Sequence, residues 1–294
     1  MKKIILKSIA LIIMVLGLCE YEKFDVNAMT LNECFKQYKY HGDYVGSVED
    51  INKYINEAST RIDSLKLGKK YIKKLEKAKD ILEDANPDKI FYLKYTNKPF
   101  KKPYYELTSA FDEYVYIGKI KDNKPNGEGV LFTPLGLGEI CIGEFKNGQF
   151  NGNLIRIEHI SAGAFEDNIF KKILIGEWKE GELNGTCVRI SDELTIGTDG
   201  TGGFNKDIFT EIADYKKGKY HGNRKLYLSN NSLLLDVNMK DNEMTGKGKT
   251  YFPNGQLEYD GEFKNGKRHG KGKLYSESGD LVYSGKFKNG DFSS

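Results

Sequence analysis

Apolar residues recur along the chain at two different spacings, and the spacing changes near residue 114. Between residues 51 and 82 they return every third or fourth position, which is the spacing of a helix with one buried face. Gly68 interrupts this pattern, Ser47 resembles a helix N-cap, and the pattern ends near Asn86-Pro87. The spacing predicts two amphipathic helices, whose apolar faces are formed by Ile51, Tyr54, Ile55, Ala58, Ile62, Leu65, Ile72, Leu75, Ala78 and Leu82.

From about residue 114 onward the apolar period is two, which is the period of a strand with one covered face. The stretch YDGEFKNGKRHGKGKLY, residues 259–275, shows this most clearly, because Tyr259 and Phe263 share one face and Asn265-Gly266 forms a tight turn. On the returning strand, glycines leave room on the face where the aromatic rings must lie flat. The stretch predicts a β-hairpin whose aromatic side chains cover the bare backbone of the facing strand.

The same phrase returns in seven units, and its anchor position, a glycine in five of them, falls at residues 118, 143, 176, 213, 237, 261 and 285. These positions are 25, 33, 37, 24, 24 and 24 residues apart, so the unit is about two dozen residues long. Insertions at 160–172 and 191–209 lengthen consecutive hairpin connections, either as contact loops or as longer hairpin ends. Because a single hairpin is barely stable, neighbouring units must bury one another's aromatic face.

These patterns predict a mainly β fold, an elongated single-layer antiparallel sheet of β-hairpin repeats preceded by a small α-helical region. The sheet is expected over residues 114–294, as about six and a half units, and the helical region with a connecting segment over 29–113. The sequence leaves open whether the helices cap one end of the sheet or form an oligomer interface. It also leaves the oligomeric state open.

The first 28 residues predict an export signal. Lysines precede an apolar run of signal-peptide length, and Val26-Asn27-Ala28 supplies small residues for a signal peptidase. We expect cleavage after Ala28 and a secreted or extracytoplasmic protein of the cell envelope. One alternative is a retained membrane anchor, for which the run is short. The other is a lipid on Cys19, which Leu18 disfavours because lipoprotein signals carry a small residue there.

Composition and charge argue against several functional classes. The formal net charge is +3 over 294 residues and no polybasic run dominates, so nucleic-acid binding has little electrostatic support. Beyond the predicted signal the cysteines are Cys34, Cys141 and Cys187, an odd number without CxxC spacing, which argues against a disulfide framework or a zinc site. His221 and His269 hold the same position in their units and are interpreted as turn residues. No metal or cofactor is expected.

Sequence motifs of catalysis are missing from the chain. It contains no P-loop, no kinase-like glycine-rich loop with its lysine, no GxSxG and no HExxH. Carboxylates are plentiful, but the sequence pairs none of them across the predicted fold. We therefore expect a protein that is not an enzyme, with no catalytic, cofactor-binding or metal-binding residue.

The residues expected to contact a partner are aromatic residues of the repeats and basic residues of the last complete hairpin. Trp178 takes the place that Phe145 and Phe263 hold in their units, so it either packs within the sheet or offers a stacking surface to sugar or lipid. The candidate contact residues are Phe145, Trp178, Tyr215, Tyr259, Phe263, Lys264, Lys267 and Arg268.

The repeated pattern Y-x-G-E-F/W-x-x-G-x-x-x-G-x-G resembles the MORN repeat (membrane occupation and recognition nexus), here in a bacterial-type chain with a signal peptide. The match is strong over 259–290, good over 116–152 and 174–185, and weak in the two units where Ala213 and Val237 replace the anchor glycine. The resemblance implies an elongated sheet of successive hairpins with scaffold, partner-binding or lipid-headgroup roles and no chemistry of its own.

The export signal and the repeats together favour an exported, non-enzymatic protein-interaction or scaffold module whose protein partner is unidentified. One alternative is a module that binds an anionic membrane surface through the lysine-rich residues 264–273, although acidic residues are interleaved with the lysines. Another follows from similarity to a bacterial antitoxin family with these repeats, and it requires a toxin partner that the protein neutralises. No nucleic-acid partner is expected.

Overall fold

The fold was analysed in a computed structural model, which describes residues 23–24, 48–85, 90–94, 113–122, 124–132, 139–161, 169–191 and 209–293. The predicted signal peptide lies outside these residues apart from Lys23 and Phe24. Most of the two insertions and of the connecting segment also lie outside them, as do Cys34 and Ser47. The sequence-based predictions for those segments remain predictions.

The two predicted helices are confirmed. Helix α1 spans Val48–Ser64 and helix α2 spans Lys69–Glu83. Gly68 lies directly before α2 with φ of 104°, in the region that favours glycine, so it ends the first helical pattern and allows the chain to turn back. The buried residues of the pair follow the predicted spacing and are Ile51, Tyr54, Ile55, Ala58, Ile62, Tyr71, Leu75, Ala78, Ile81 and Leu82.

The remaining elements are strands of one open antiparallel sheet, which confirms the predicted fold class. They are β1 (Lys23–Phe24), β2 (Ile90–Lys94), β3 (Glu113–Lys121), β4 (Lys124–Phe132), β5 (Glu139–Lys146), β6 (Gln149–Ser161), β7 (Ile169–Lys179), β8 (Glu182–Leu183), β9 (Gly185–Ser191), β10 (Phe209–Lys216), β11 (Lys219–Tyr227), β12 (Leu233–Lys240), β13 (Glu243–Tyr251), β14 (Leu257–Lys264), β15 (Lys267–Tyr275), β16 (Leu281–Lys288) and β17 (Asp291–Ser293).

Strands that follow one another along the chain pair with one another, so the sheet is a continuous series of hairpins. Strand β7 pairs with both β8 and β9, which are two parts of one returning strand. At several hairpin turns a residue with positive φ precedes a glycine with positive φ, as in Asn147-Gly148 and Asn265-Gly266. This is the two-residue turn whose twist matches that of antiparallel strands.

A β-bulge recurs within the hairpins, after the anchor position of the first strand. The acidic side chain that follows the anchor glycine accepts a hydrogen bond from a backbone N–H that the bulge frees on the returning strand. Asn153 N donates to Glu144 Oε1 at 3.2 Å, and Lys271 N donates to Glu262 Oε1 at 3.4 Å. The glutamate of the repeated phrase therefore has a structural role, because it satisfies a backbone donor that the sheet leaves free.

The helix pair covers one face of the first half of the sheet, which we call the helix face. Helix α2 contacts β4, β5, β6 and β7. From the sequence, the helices could either cap one end of the sheet or form an oligomer interface. The structure instead places them on one face of the sheet. The strand residues of this core are mostly β-branched: Ile117, Val130, Phe132, Ile140, Ile142, Ile155, Ile157, Ile173, Ile175, Val188 and Ile190.

Arg61 at the end of α1 links the helix pair to distant strands. Its Nε donates to Thr210 Oγ1 at 2.8 Å, and its Nη1 donates to the backbone oxygen of Ser229 at 2.8 Å. It also donates to the backbone oxygen of Leu228 and to Asn231 Oδ1. One side chain thus joins α1 to β10 and to the turn between β11 and β12.

Replacing Arg61 by alanine should loosen the helix pair. The change removes charge-assisted hydrogen bonds and should lower the stability of helix docking by about 2 kcal/mol. Hydrogen exchange of α1 and α2 in the full chain measures this as faster exchange of both helices. The matched control is Lys53→Ala, an exposed residue of α1. Equal exchange rates in the two variants would show that Arg61 does not hold the helices.

Candidate interaction surface

The face opposite the helices, which we call the aromatic face, is closed by the protein's own rings. Tyr259 lies over Gly261 and Gly272, and a Cβ added at either glycine would stand 2.4 Å from its hydroxyl oxygen. That hydroxyl donates to the backbone oxygen of Glu262 at 2.9 Å. Tyr116 lies in the same way over the glycines of its own unit. The packing of aromatic side chains over bare backbone is therefore as predicted from the sequence.

The rings contact one another edge to face, both within a unit and between neighbouring units. Ring centroids lie 5.2 Å apart both for Tyr259 with Phe263 and for Tyr259 with Phe287. The centroids of Tyr116 and Phe145 lie 5.0 Å apart. These separations and angles are favourable for aromatic pairs, so each unit stabilises the next through its rings.

All five aromatic candidate residues, Phe145, Trp178, Tyr215, Tyr259 and Phe263, are buried. Trp178 is 6% exposed, and its ring packs against Phe150 with centroids 6.3 Å apart, so the structure gives it a packing role. Their part in contacting a partner stays a prediction. Because their surfaces are already covered, substitutions there would act on a partner chiefly through the shape of the sheet.

The three basic candidates lie at the hairpin of β14 and β15. Lys264 and Lys267 face each other at the end of the hairpin and are exposed. Arg268 is half-buried, pairs with Glu258, and holds its guanidinium 5.1 Å from the centroid of the Tyr259 ring. Lys264 and Lys267 are therefore free to meet a partner, whereas Arg268 is engaged in the aromatic face.

Burial of the aromatic face raises the pKa of several tyrosine hydroxyls, since an apolar environment disfavours the phenolate. Desolvation raises the pKa of Tyr116, of Tyr215 and of Tyr259. The folded protein thus keeps protons that the unfolded chain releases above the ordinary tyrosine pKa of about 10.

Stability should consequently be retained up to about pH 10 and fall as the pH rises above that value, because the unfolded state then binds fewer protons than the folded state. Thermal midpoints measured from neutral to alkaline pH test this. The variant Tyr116→Phe should lose less stability at alkaline pH than the unmodified protein. Tyr251→Phe, at a partly exposed position, is the control. An alkaline loss that Tyr116→Phe leaves unchanged would contradict the assignment.

A buried ionic cluster lies on the aromatic face between β9, β10 and β11. Glu211, which is 2% exposed, accepts from Arg224 Nε at 2.6 Å and pairs with Arg189 Nη2 at 2.7 Å. Tyr220 donates its hydroxyl to Glu211 at 3.0 Å. The carboxylate is thus fully surrounded by donors.

Sequence reasoning missed this cluster and described the unit only as weak. A signal was present, because Glu211 stands at the position of Tyr259 and Arg224 at the position of Gly272. An acid replaces the ring and a base replaces the glycine that the ring would cover. Because both changes fall in one unit and complement each other, they indicate that an ion pair replaces the contact between ring and glycine. They do not indicate that the repeat sequence has simply been lost.

The cysteine thiols and histidines give no sign of chemistry. Cys141 and Cys187 are buried free thiols whose pKa burial raises, which keeps them protonated and unreactive. His221 Nδ1 lies 3.6 Å from Asp241. Across the described ranges, no three His, Cys, Asp or Glu side chains come together as metal ligands. Neither helix in the described part of the chain is long and apolar enough to span a membrane.

The helix face of the first half shows how the sheet binds a helix. Helix α2 lies over Ile142 and Ile155, and Ala78 of the helix lies at this contact. Two ion pairs of 2.9 Å flank this contact, from Lys77 to Glu128 and from Lys74 to Glu177. We call this contact the α2 seat, namely Ile142 and Ile155 with the flanking Glu128 and Glu177.

The helix face of the second half is charged, and neither of the two described helices packs over it. Along β11 to β14, Lys225 pairs with Asp236 at 3.0 Å and Lys249 pairs with Asp260 at 3.2 Å. Next to this ladder is an open depression of about 580 Å³, floored by the backbone of three glycines. The charged side chains that line it are Lys247, Asp260, Glu262, Lys271, Lys273 and Lys286.

Comparison with protein families agrees with these features. The MORN repeat profile matches residues 116–134, 141–153, 175–192 and 259–281, and a MORN repeat variant matches 244–265. The chain contains MORN repeats. The matched residues that the structure describes fall in the hairpins, and the helices lie outside the matched ranges. A search among curated proteins finds no match for the chain.

MORN repeats are generally modules for interaction with proteins or membranes, and they are not a known enzyme family. The repeats account for the hairpins, the glycine positions and the aromatic face. The departures from the repeat, which are the ionic cluster and the charged half of the helix face, belong to this chain.

Proposed function

We propose that this MORN-repeat protein is an exported, non-enzymatic interaction module that binds a protein partner at the cell envelope or outside the cell. The observation that carries the proposal is the unequal covering of the helix face. The chain's own helices cover it from β4 to β9, and the continuation from β11 to β16 is open. The aromatic face is closed by rings, so we assign the partner to the open half of the helix face.

The covered half supports a protein partner in particular. It shows that strands of this repeat bind helices through shape and ion pairs. A membrane surface is the other role known for such repeats, and the alternating charges of Lys249, Asp260 and Lys273 oppose it, because interleaved carboxylates weaken attraction to anionic lipid. The role of a toxin-neutralising protein remains within the proposal as one kind of protein partner.

Site-specific photo-crosslinking in the producing cells tests the proposal. A photo-reactive amino acid placed at Lys271, in the open depression, should yield an adduct with one discrete protein. The same amino acid at Lys53, on the exposed surface of α1, is the matched control. Lipid adducts alone at position 271, or identical adducts at both positions, would contradict a protein-binding face.

Export is tested separately by the intact mass of the native protein recovered from cytoplasm, envelope and medium. A chain that begins at Met29 in the envelope or medium is the expected result. An uncleaved chain confined to the cytoplasm would overturn the export part of the proposal.

A further inference from the structure

The open depression of the helix face is the repeat equivalent of the α2 seat. The hairpins that begin at Cys141 and Tyr259 pair in the same register, and so do the strands on either side of them, so their residues correspond one to one. In this correspondence the seat residues Glu128, Ile142, Ile155 and Glu177 match Lys247, Asp260, Lys273 and Lys286. Glu144 and Asn153, which lie beside the seat, match Glu262 and Lys271.

The correspondence inverts the charges that hold the helix. In the first half, Glu128 and Glu177 pair with lysines of α2. In the second half their places are taken by Lys247 and Lys286, which are both exposed. Among the residues that the structure describes, neither lysine has a carboxylate partner. The α2 seat and the open depression therefore share their strand register and have opposite flanking charge.

We propose that the open depression binds an acidic helix of a partner protein, with two carboxylates three residues apart, in the way that the first half binds α2. The carboxylates occupy the places of Lys74 and Lys77 and pair with Lys286 and Lys247. The proposal deepens the proposed function by naming the chemistry of the partner.

The reach of the side chains fits this exchange. Lys247 and Lys286 stand three strand spacings apart, as Glu128 and Glu177 do, which is about 14 Å in each case. A lysine and a glutamate have the same combined length whichever side of the contact carries the lysine. The partner helix can therefore lie at the depth of α2 with both pairs formed.

The floor of the depression selects against other acidic ligands. Asp260 and Glu262 lie between the lysines, so a continuous row of phosphates meets carboxylates as well as ammonium groups. Lys271 and Lys273 add positive charge beside these carboxylates, where a helix with spaced acidic residues finds opposite charge. A second copy is not the proposed occupant, because its two helices already pack on their own sheet and α2 is held there through Lys74 and Lys77.

The test measures binding of a synthetic helical peptide of alanine with glutamates three residues apart to the full chain. Its lysine counterpart, anionic phospholipid vesicles and a DNA duplex are the comparison ligands. The first protein variant is Lys247→Glu with Lys286→Glu. The matched control, Lys240→Glu with Lys288→Glu, reverses the same number of exposed lysines at hairpin ends outside the depression. Thermal unfolding checks that both variants fold, and Lys247→Gln with Lys286→Gln serves if the first does not.

The unmodified protein should bind the glutamate peptide more tightly than any comparison ligand. The variant Lys247→Glu with Lys286→Glu should weaken this binding by about tenfold or more, and the control variant should weaken it by less than about twofold. The variant Lys247→Glu with Lys286→Glu should also gain affinity for the lysine peptide. Equal losses in both variants, no binding of the glutamate peptide, or tighter binding of vesicles or DNA would overturn the proposal. If the peptide test fails but a protein is still crosslinked at position 271, the proposed function stands and only the proposal of an acidic partner helix is rejected.

Discussion

Replacing Tyr259 by alanine is expected to lower the free energy of unfolding of the C-terminal units by about 3–5 kcal/mol. The ring is fully buried and covers two facing glycines, and it contacts Phe263 and Phe287 edge to face. Removing it leaves a cavity that glycine backbones cannot fill, because they have no side chains to move into it. Since each unit is held by its neighbours, the loss should spread to β13–β16.

Hydrogen exchange in low denaturant is the measurement for this prediction, because it reports each hairpin separately where a repeat array does not unfold in one step. Tyr275→Ala, on the opposite face of the same hairpin and partly exposed, is the control and should cost far less. An equal effect of the two substitutions would show that the aromatic face is not the main source of stability.

Replacing Glu211 by glutamine should destabilise the middle units by about 3 kcal/mol. The change removes the charge that compensates Arg189 and Arg224 while preserving the size of the side chain. Both arginines then stay largely covered and lose the charge of Glu211. Chemical denaturation followed with hydrogen exchange of β9–β11 measures the effect, and Glu243→Gln at an exposed position is the control.

A rescue variant makes the prediction about Glu211 sharper. Glu211→Tyr combined with Arg224→Gly restores the ring and the glycine that other units carry at these positions. Apolar packing can replace a buried ionic group with little loss. The double variant should therefore be more stable than Glu211→Gln. If it is less stable, the cluster is not a substitute for the aromatic contact.

The local structure was predictable from the sequence because it depends on short-range chemistry. Asn265-Gly266 forms a two-residue turn through its backbone preferences, and Tyr259 needs the glycines beside it. The helices follow in the same way from apolar spacing, with Gly68 between them. Each of these features is decided by residues close together in the chain or in adjacent strands.

The placement of the helices could not be predicted, because period alone shows which side of an element is apolar and not what covers it. Arg61 reaches Thr210 across 149 residues, and no local pattern links the two. A usable signal did exist in the repeats, where Ile142 and Ile155 become Asp260 and Lys273. When the units are aligned so that residues on the same face correspond, this change from apolar to charged residues indicates a face that is covered in the first half of the sheet and open in the second.

The candidate contact residues were predicted from their residue type, and the structure shows that some of them are buried and others are exposed. Aromatic residues such as Trp178 were selected as contacts, yet the repeat needs them for its core. Among the basic candidates only Lys264 and Lys267 are exposed, at the hairpin end. Lys271 and Lys273 of the depression were considered only as part of the lysine-rich residues 264–273, and Lys247 and Lys286 were not candidates. The common surface of these four lysines is seen only when strands β13 to β16 are aligned.

Quantitative acetylation of lysines in intact producing cells, compared with the purified protein, tests the central claim most directly. If a protein partner covers the open half of the helix face, four lysines should lose reactivity in cells, namely Lys247, Lys271, Lys273 and Lys286. The hairpin-end lysines should keep theirs, namely Lys121, Lys146, Lys264 and Lys288. Protection of the hairpin ends without the depression, or equal reactivity of all eight in cells and after purification, would contradict the account.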